Sequence, residues 1–256
     1  MRRIRVIPIL LLSNGGLVKT ARFKKPNYIG DPINAVRIFN DKEVDELALL
    51  DIEASGLGKE PNFEKIKNVV SEAFMPMAYG GGIKTLDHIK SIFRVGIEKV
   101  VINTMAGRDP GLLERGAAIY GSQSIAVSMD VKKDFLGKYR VYLNKGKEKV
   151  RLSPVEYAKR AESFGAGEII ITSIDREGTY LGYDLDLVNQ VSAAIQIPLV
   201  VNGGARNIND FLIAAQAGAS ATAAGSLFVY SSDEKGVMIN YPKQHELTDH
   251  LYSKLN

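Results

Sequence analysis

One cassette occurs twice in this chain. Tyr79-Gly80-Gly81-Gly82-Ile83 leads through a helical stretch to Val101-Ile102-Asn103-Thr104, and Asn202-Gly203-Gly204-Ala205-Arg206 leads to Ala223-Ala224-Gly225-Ser226. Gly82 and Thr104 are separated by 22 positions, as are Gly204 and Ser226. Each copy reads as a strand ending in glycines, a helix, then a strand ending in a small hydroxyl residue. Barrels of alternating strands and helices hold phosphate this way. The glycines let backbone N–H groups approach the oxyanion, a helix start adds partial positive charge, and Ser or Thr adds a donor. Two such cups, half a chain apart, point to a small-molecule ligand with a phosphate at each end.

The remaining pattern agrees. Short apolar, β-branched runs read as strands over Arg5–Leu12, Glu46–Glu53, Pro76–Tyr79, Lys99–Asn103, Ser124–Asp130, Glu168–Ser173, Pro198–Asn202 and Ala219–Ala224. Amphipathic stretches such as Asp31–Asn40, Asn62–Phe74, Leu86–Val95, Pro154–Phe164, Asp184–Ile195 and Ile208–Gln216 lie between them. Glycines such as Gly96, Gly121, Gly165 and Gly218 close them. Eight nearly continuous apolar strands, each followed by a helix, predict a single (β/α)8 TIM barrel over residues 1–256, in half-barrels of roughly 1–121 and 122–256. An open doubly wound sheet is the competing α/β architecture.

Composition excludes several classes. The chain has no cysteine, so it has no disulfide, thiolate nucleophile or cysteine-ligated metal; a reducing, cytoplasmic setting is expected. The opening Met-Arg-Arg-Ile-Arg-Val-Ile-Pro-Ile-Leu-Leu-Leu has the basic and apolar regions of a signal peptide. It lacks a small-residue cleavage site and Pro8 interrupts it, so it reads as a buried first strand. No run has the apolar length of a membrane span. Basic residues gather at Lys19, Arg22, Lys24 and Lys25 and again from Lys132 to Arg151, either as solvated loop charge or as an electropositive rim. No nucleic-acid recognition motif accompanies them. His88, His245 and His250 fall on predicted helices, expected at the surface rather than as metal ligands.

Two long connections follow strands. Ser13–Gly30 is glycine-containing and basic and reads as a mobile lid, with surface decoration as the alternative. Lys132–Arg151 contains Lys138-Tyr139-Arg140-Val141-Tyr142-Leu143, whose alternation predicts a small hairpin.

Over its whole length the chain resembles HisF, the cyclase subunit family of imidazole glycerol phosphate synthase. Arg5-Val6-Ile7-Pro8, Leu50-Asp51-Ile52, the two glycine cassettes, Gly121-Ser122-Gln123 and Thr172-Ser173-Ile174-Asp175-Arg176-Glu177-Gly178 carry the resemblance. It implies a barrel that takes ammonia from a separate HisH-like glutaminase, as a heterodimer, for ring closure and cleavage of a bisphosphorylated substrate. It implies no cofactor. It assigns Gly82, Asn103 and Thr104 to one phosphate cup and Gly178, Gly204, Gly225 and Ser226 to the other. Lys19 would reach the ligand from the first loop, and Asp51, Thr172 and Asn202 would line the mouth. An ammonia gate is implied at Arg5, Glu46, Lys99 and Glu168, whose alternating charges also suit a structural salt-bridge ring.

At one position the chain departs from that pattern in a way that touches the chemistry. The family places one carboxylate at the end of strand 1 and one at the end of strand 5, because donating and removing protons at one substrate takes two separately tuned groups. Asp130 is the strand-5 acid, but position 11 is Leu11, and residues 9–14, Ile-Leu-Leu-Leu-Ser-Asn, hold no acid. Glu177 stands where the family has Asp. Two readings follow, with a barrel isomerase of the preceding pathway step as a third. One is a diverged paralogue that passes ammonia to a sugar amidotransferase in surface-polysaccharide synthesis, with cyclase chemistry impaired. The other is a working cyclase (a lyase) of histidine biosynthesis relying on Asp130.

Overall fold

The computed structural model describes residues 3–231 and 236–255; Met1-Arg2 at the start of the opening basic run lies outside them. Eight parallel strands close on themselves: β1 (Arg5–Ser13), β2 (Leu47–Asp51), β3 (Met77–Gly80), β4 (Lys99–Ile102), β5 (Ile125–Lys133), β6 (Glu168–Ser173), β7 (Leu199–Asn202) and β8 (Ala221–Ala224). Each pairs with the next in the chain, and β8 returns to β1 through the Val6–Thr222 and Pro8–Ala224 registers, so the competing open sheet is ruled out. The observed strands fall within two residues of the expected ends, except that β5 runs three residues further, to Lys133.

Period-two alternation divides each strand between two environments. Val6, Leu10, Leu47, Leu49, Met77, Val100, Val127, Met129, Ile169 and Val201 belong to the core between barrel and helices. Ile7, Ile9, Ala48, Ala78, Val101, Ala126, Ile170, Val200, Ala221 and Ala223 form a separate buried cluster inside the barrel. The helices start on side-chain caps where the sequence supplies them. Asp31 accepts from the N–H groups of Ile33 and Asn34 to start Pro32–Asp41, and Ser153 with Glu156 forms a capping box on Pro154–Ser163.

The first long connection is not an irregular loop. Asn14 (φ 49°) and Gly15 (φ 83°) make a two-residue turn, and the chain returns as Gly16–Ala21 antiparallel to β1, then as Lys24–Gly30. An Asn-Gly pair supplies two left-handed residues whose twist suits a hairpin, and that signal predicts this outcome. The second connection is the expected hairpin: β5 runs on to Lys133 and pairs antiparallel with Tyr139–Leu143. Both hairpins rise from the C-terminal ends of their strands, the face on which such barrels place their sites.

Candidate functional site at the barrel mouth

All twelve residues expected at the mouth line one cleft: Lys19, Asp51, Gly82, Asn103, Thr104, Asp130, Thr172, Gly178, Asn202, Gly204, Gly225 and Ser226. The cleft encloses about 1260 Å³ of space open to solvent. Its two glycine cradles come from the two copies of the cassette. Gly82 has φ 70° and Gly204 φ 108°, conformations that L side chains rarely adopt. A Cβ on Gly82 would also stand 2.8 Å from the Lys59 carbonyl oxygen. Short helical segments, Thr104–Arg108 and Ser226–Val229, begin at the hydroxyl residues that close each cassette.

Asp130 ends the inward-facing row Ala126, Ser128, Asp130 of β5 and is 8% exposed. The Asn103 side-chain amide donates to Asp130 Oδ2 and to the Ser128 carbonyl oxygen, both at 3.0 Å. Burial pushes the Asp130 carboxyl up to about 7; the Asn103 hydrogen bond opposes this and the charge of Glu177 adds to it. A carboxyl that exchanges its proton near neutrality is suited to acid–base work.

Opposite, on β1, Ile7, Ile9 and Leu11 share the interior face, and Leu11 sits beside Leu50 in register on the wall of the cleft. Among the described residues two other acids line the mouth, each already engaged. Asp51 Oδ1 accepts from the N–H groups of Glu53 (2.9 Å) and Ala54 (3.0 Å), shaping the turn after β2. Glu177, 5% exposed, is ion-paired with Lys19, accepts from Thr20 Oγ1 and from Phe23 N–H at 3.1 Å each, and through its carbonyl from Arg22 N–H at 2.9 Å. Lys19, expected to reach a ligand, is thus buried against Glu177, its stem packed over Gly225. These contacts tie the hairpin from β1 to the segment after β6.

Sequence reading missed several residues of the cleft. Thr20, Phe23, Ser55, Ser128, Asn144, Lys145 and Tyr180 also line it. Tyr180, at φ 58°, donates to the Ser226 carbonyl oxygen at 3.1 Å, and Lys145 pairs with Glu53 at 2.9 Å. Period-two alternation from Asp130 points to Ser128; no local pattern singles out Tyr180 or Lys145. One expectation needs correcting. His88 is not a surface residue but is 8% exposed, its Nδ1 3.3 Å from the Gly82 carbonyl oxygen behind the first cradle. His245 and His250 are exposed. Most basic residues of the two hairpins are solvated, whereas Lys19, Lys145 and Arg140 are paired with Glu177, Glu53 and Asp134.

At the opposite end of the barrel the four charged residues close a ring. Arg5 pairs with Glu46 and Glu168, and Lys99 bridges the same two carboxylates at 2.9 and 2.7 Å. Glu46 and Glu168 are 7% and 4% exposed, and each of these two carboxylates has two cationic partners. Among the described residues no helix is long and apolar enough to cross a membrane, and no group of three or more His, Asp or Glu is arranged to hold a metal ion.

Fold and cleft together define a (β/α)8-barrel protein with two glycine cradles at its mouth. The chain belongs to the histidine biosynthesis protein family, which it matches over residues 5–234, and within that family it is HisF-like. It is 50% identical over 248 residues (96% of this chain, 99% of the relative) to a Pseudomonas aeruginosa protein provisionally named imidazole glycerol phosphate synthase subunit hisF2. It is 44% identical over 96% of its length, and 95% of the relative, to a Vibrio vulnificus protein provisionally named as subunit hisF3. It is 40% identical over 228 residues (89% of this chain, 90% of the relative) to imidazole glycerol phosphate synthase subunit HisF of Alkaliphilus metalliredigens.

Proposed function

We propose that this chain is the barrel subunit of a glutamine amidotransferase complex, a diverged HisF paralogue that conducts ammonia rather than fixing it. A HisH-like glutaminase would dock at the ring of Arg5, Glu46, Lys99 and Glu168 and release ammonia there. The ammonia would leave by the mouth toward an acceptor enzyme, of which a sugar amidotransferase is the expected kind. The family's cyclase chemistry would be impaired. The observation that carries this reading is Leu11 on the wall opposite Asp130, where a proton-transfer pair needs its second acid. Among the described residues the other two acids of the mouth, Asp51 and Glu177, are held by their own neighbours. Losing one of two cooperating acid–base groups removes about 10²–10⁴ of rate.

In this reading the cradles keep a phosphorylated ligand. Gly82, Asn103 and Thr104 would hold one end, Gly178, Gly204, Gly225 and Ser226 the other, and Asp51, Thr172 and Asn202 the middle. The Asn202 amide donates to Thr172 Oγ1 at 3.1 Å, which orients both side chains. The provisional names of the more similar relatives, beside the unqualified name of the 40% relative, support a family branch set apart from the histidine enzyme.

One observation favours a second reading, a working cyclase. Glu177 is buried in the same cleft and its charge acts on Asp130, so it could serve as the missing acid if a ligand took Lys19 from it. One assay decides between them. The purified barrel with its cognate glutaminase, glutamine and the bisphosphorylated histidine-pathway substrate should yield little imidazole product. Turnover like that of an ordinary cyclase would establish the second reading instead.

A further inference from the structure

Leu11 does more than leave a carboxylate out. The interior of the barrel is unusually light: five of its ten buried apolar residues are alanine, at Ala48, Ala78, Ala126, Ala221 and Ala223. Filled barrels of this type use bulky branched residues in those layers. Along β1 and β2 the apolar lining runs without a break from the charged ring to the mouth, through Ile7, Ile9 and Leu11 on one strand and Ala48 and Leu50 on the other. On the far side it gives way to Ser128, Asp130 and Thr172 as the mouth is reached. The cleft therefore has one dry wall and one polar wall.

Ammonia is a base that water protonates at neutral pH, much as it does a lysine amine. An apolar wall disfavours the charged form, and a carboxylate favours it by charge-assisted hydrogen bonding. An acid at position 11 would face Asp130 and offer arriving nitrogen an ammonium trap between two carboxylates. For a site that consumes ammonia such a trap is useful, because it holds the nitrogen beside the substrate and a carboxylate can take back its proton, restoring the nucleophile. For a conduit it is a block. We propose that Leu11, with Leu50 beside it, is a specificity-determining residue that completes an apolar passage to the rim, so that nitrogen leaves the mouth as neutral ammonia and is not retained. This rests on the conducting role proposed above and assigns the β1–β2 wall as the exit path.

The test uses the full chain and its complex with the cognate glutaminase. First, ¹⁵N-ammonium chloride is titrated against wild type, Leu11→Asp and the conservative Leu11→Met, and its binding is read by NMR. Wild type and Leu11→Met should show no saturable binding at the mouth. Leu11→Asp should retain ammonium at least about tenfold better, the effect of one charge-assisted hydrogen bond. Second, glutamate and free ammonia are followed together after glutamine is mixed with the complex. They should appear in step for wild type and Leu11→Met, and ammonia should lag glutamate in Leu11→Asp. If Leu11→Asp folds poorly, Leu50→Asp puts a carboxylate on the same wall and should produce the same lag. No retention and no lag in the aspartate variants would overturn the role of Leu11 alone, leaving conduction to stand on its own test. Retention without a lag would mean that ammonia does not leave by the mouth, which overturns the conducting role and this inference together.

Discussion

Replacing Asp130 with asparagine should make this protein more stable at neutral pH, and the gain should depend on pH in a defined way. Asp130 is 8% exposed, and burial holds its carboxyl at about 7, against 3.8 for an unperturbed aspartate. Between those two values the native state keeps the proton while the unfolded chain has released it. The unfolded state therefore binds fewer protons, and stability falls as pH rises. The slope is about 1.4 kcal/mol per pH unit, and the accumulated cost is about 4 kcal/mol once pH is well above 7. Asparagine has nearly the same shape, carries no charge, and can still accept through Oδ1 from the Asn103 amide. Asp130→Asn should thus match wild type at about pH 4 and exceed it by up to about 4 kcal/mol near pH 8. Urea unfolding of both proteins at closely spaced pH values measures the difference directly. A stability difference that stays flat across that range would refute the claim that Asp130 is held protonated by its surroundings.

Four further outcomes are expected. Lys99→Glu leaves Glu46 and Glu168 facing a third carboxylate with only Arg5 to balance them; it should cost about 3–5 kcal/mol and uncouple glutamine hydrolysis from ammonia use, and intact coupling would argue against the gate. Glu177→Ala strands the buried Lys19 and frees the hairpin from β1; limited proteolysis between residues 14 and 30 should accelerate, whereas an unchanged rate would show that the hairpin is held by other contacts. Gly82→Ala forces a Cβ against Lys59 in a left-handed backbone; it should cost about 1–3 kcal/mol and abolish stabilisation by a bisphosphorylated ligand in a thermal-shift titration, and full stabilisation would remove the first cradle from the ligand site. Leu11→Asp should raise imidazole formation if position 11 alone silenced the chemistry, and no gain would locate the deficit elsewhere.

Much of the site was legible because strand alternation is a strict rule. Once Asp130 is placed on β5 facing inward, Ser128 and Ala126 must face inward too, and Leu11 must join Ile7 and Ile9. The repeated cassette likewise places both cradles at strand ends. The hairpin form of the first connection is announced by Asn14-Gly15, whereas its basic, glycine-containing composition says nothing about pairing. His88 lies beyond what the sequence can place: a helix position does not say which neighbour covers it, and here the Gly82 turn does.

By itself, the sequence determined the barrel, the two cradles and the absence of an acid on the first strand, since each follows from local residue type and short spacings, whereas the charged ring was implied only by the family resemblance. Only the tertiary structure decided that Glu177 clasps Lys19 across 158 positions, that Asp51 turns back to its own loop, and that Asp130 is pushed up to about 7. Those outcomes depend on which distant groups come to share one dry cleft. Charge coupling and desolvation act through space, and no spacing along the chain encodes them.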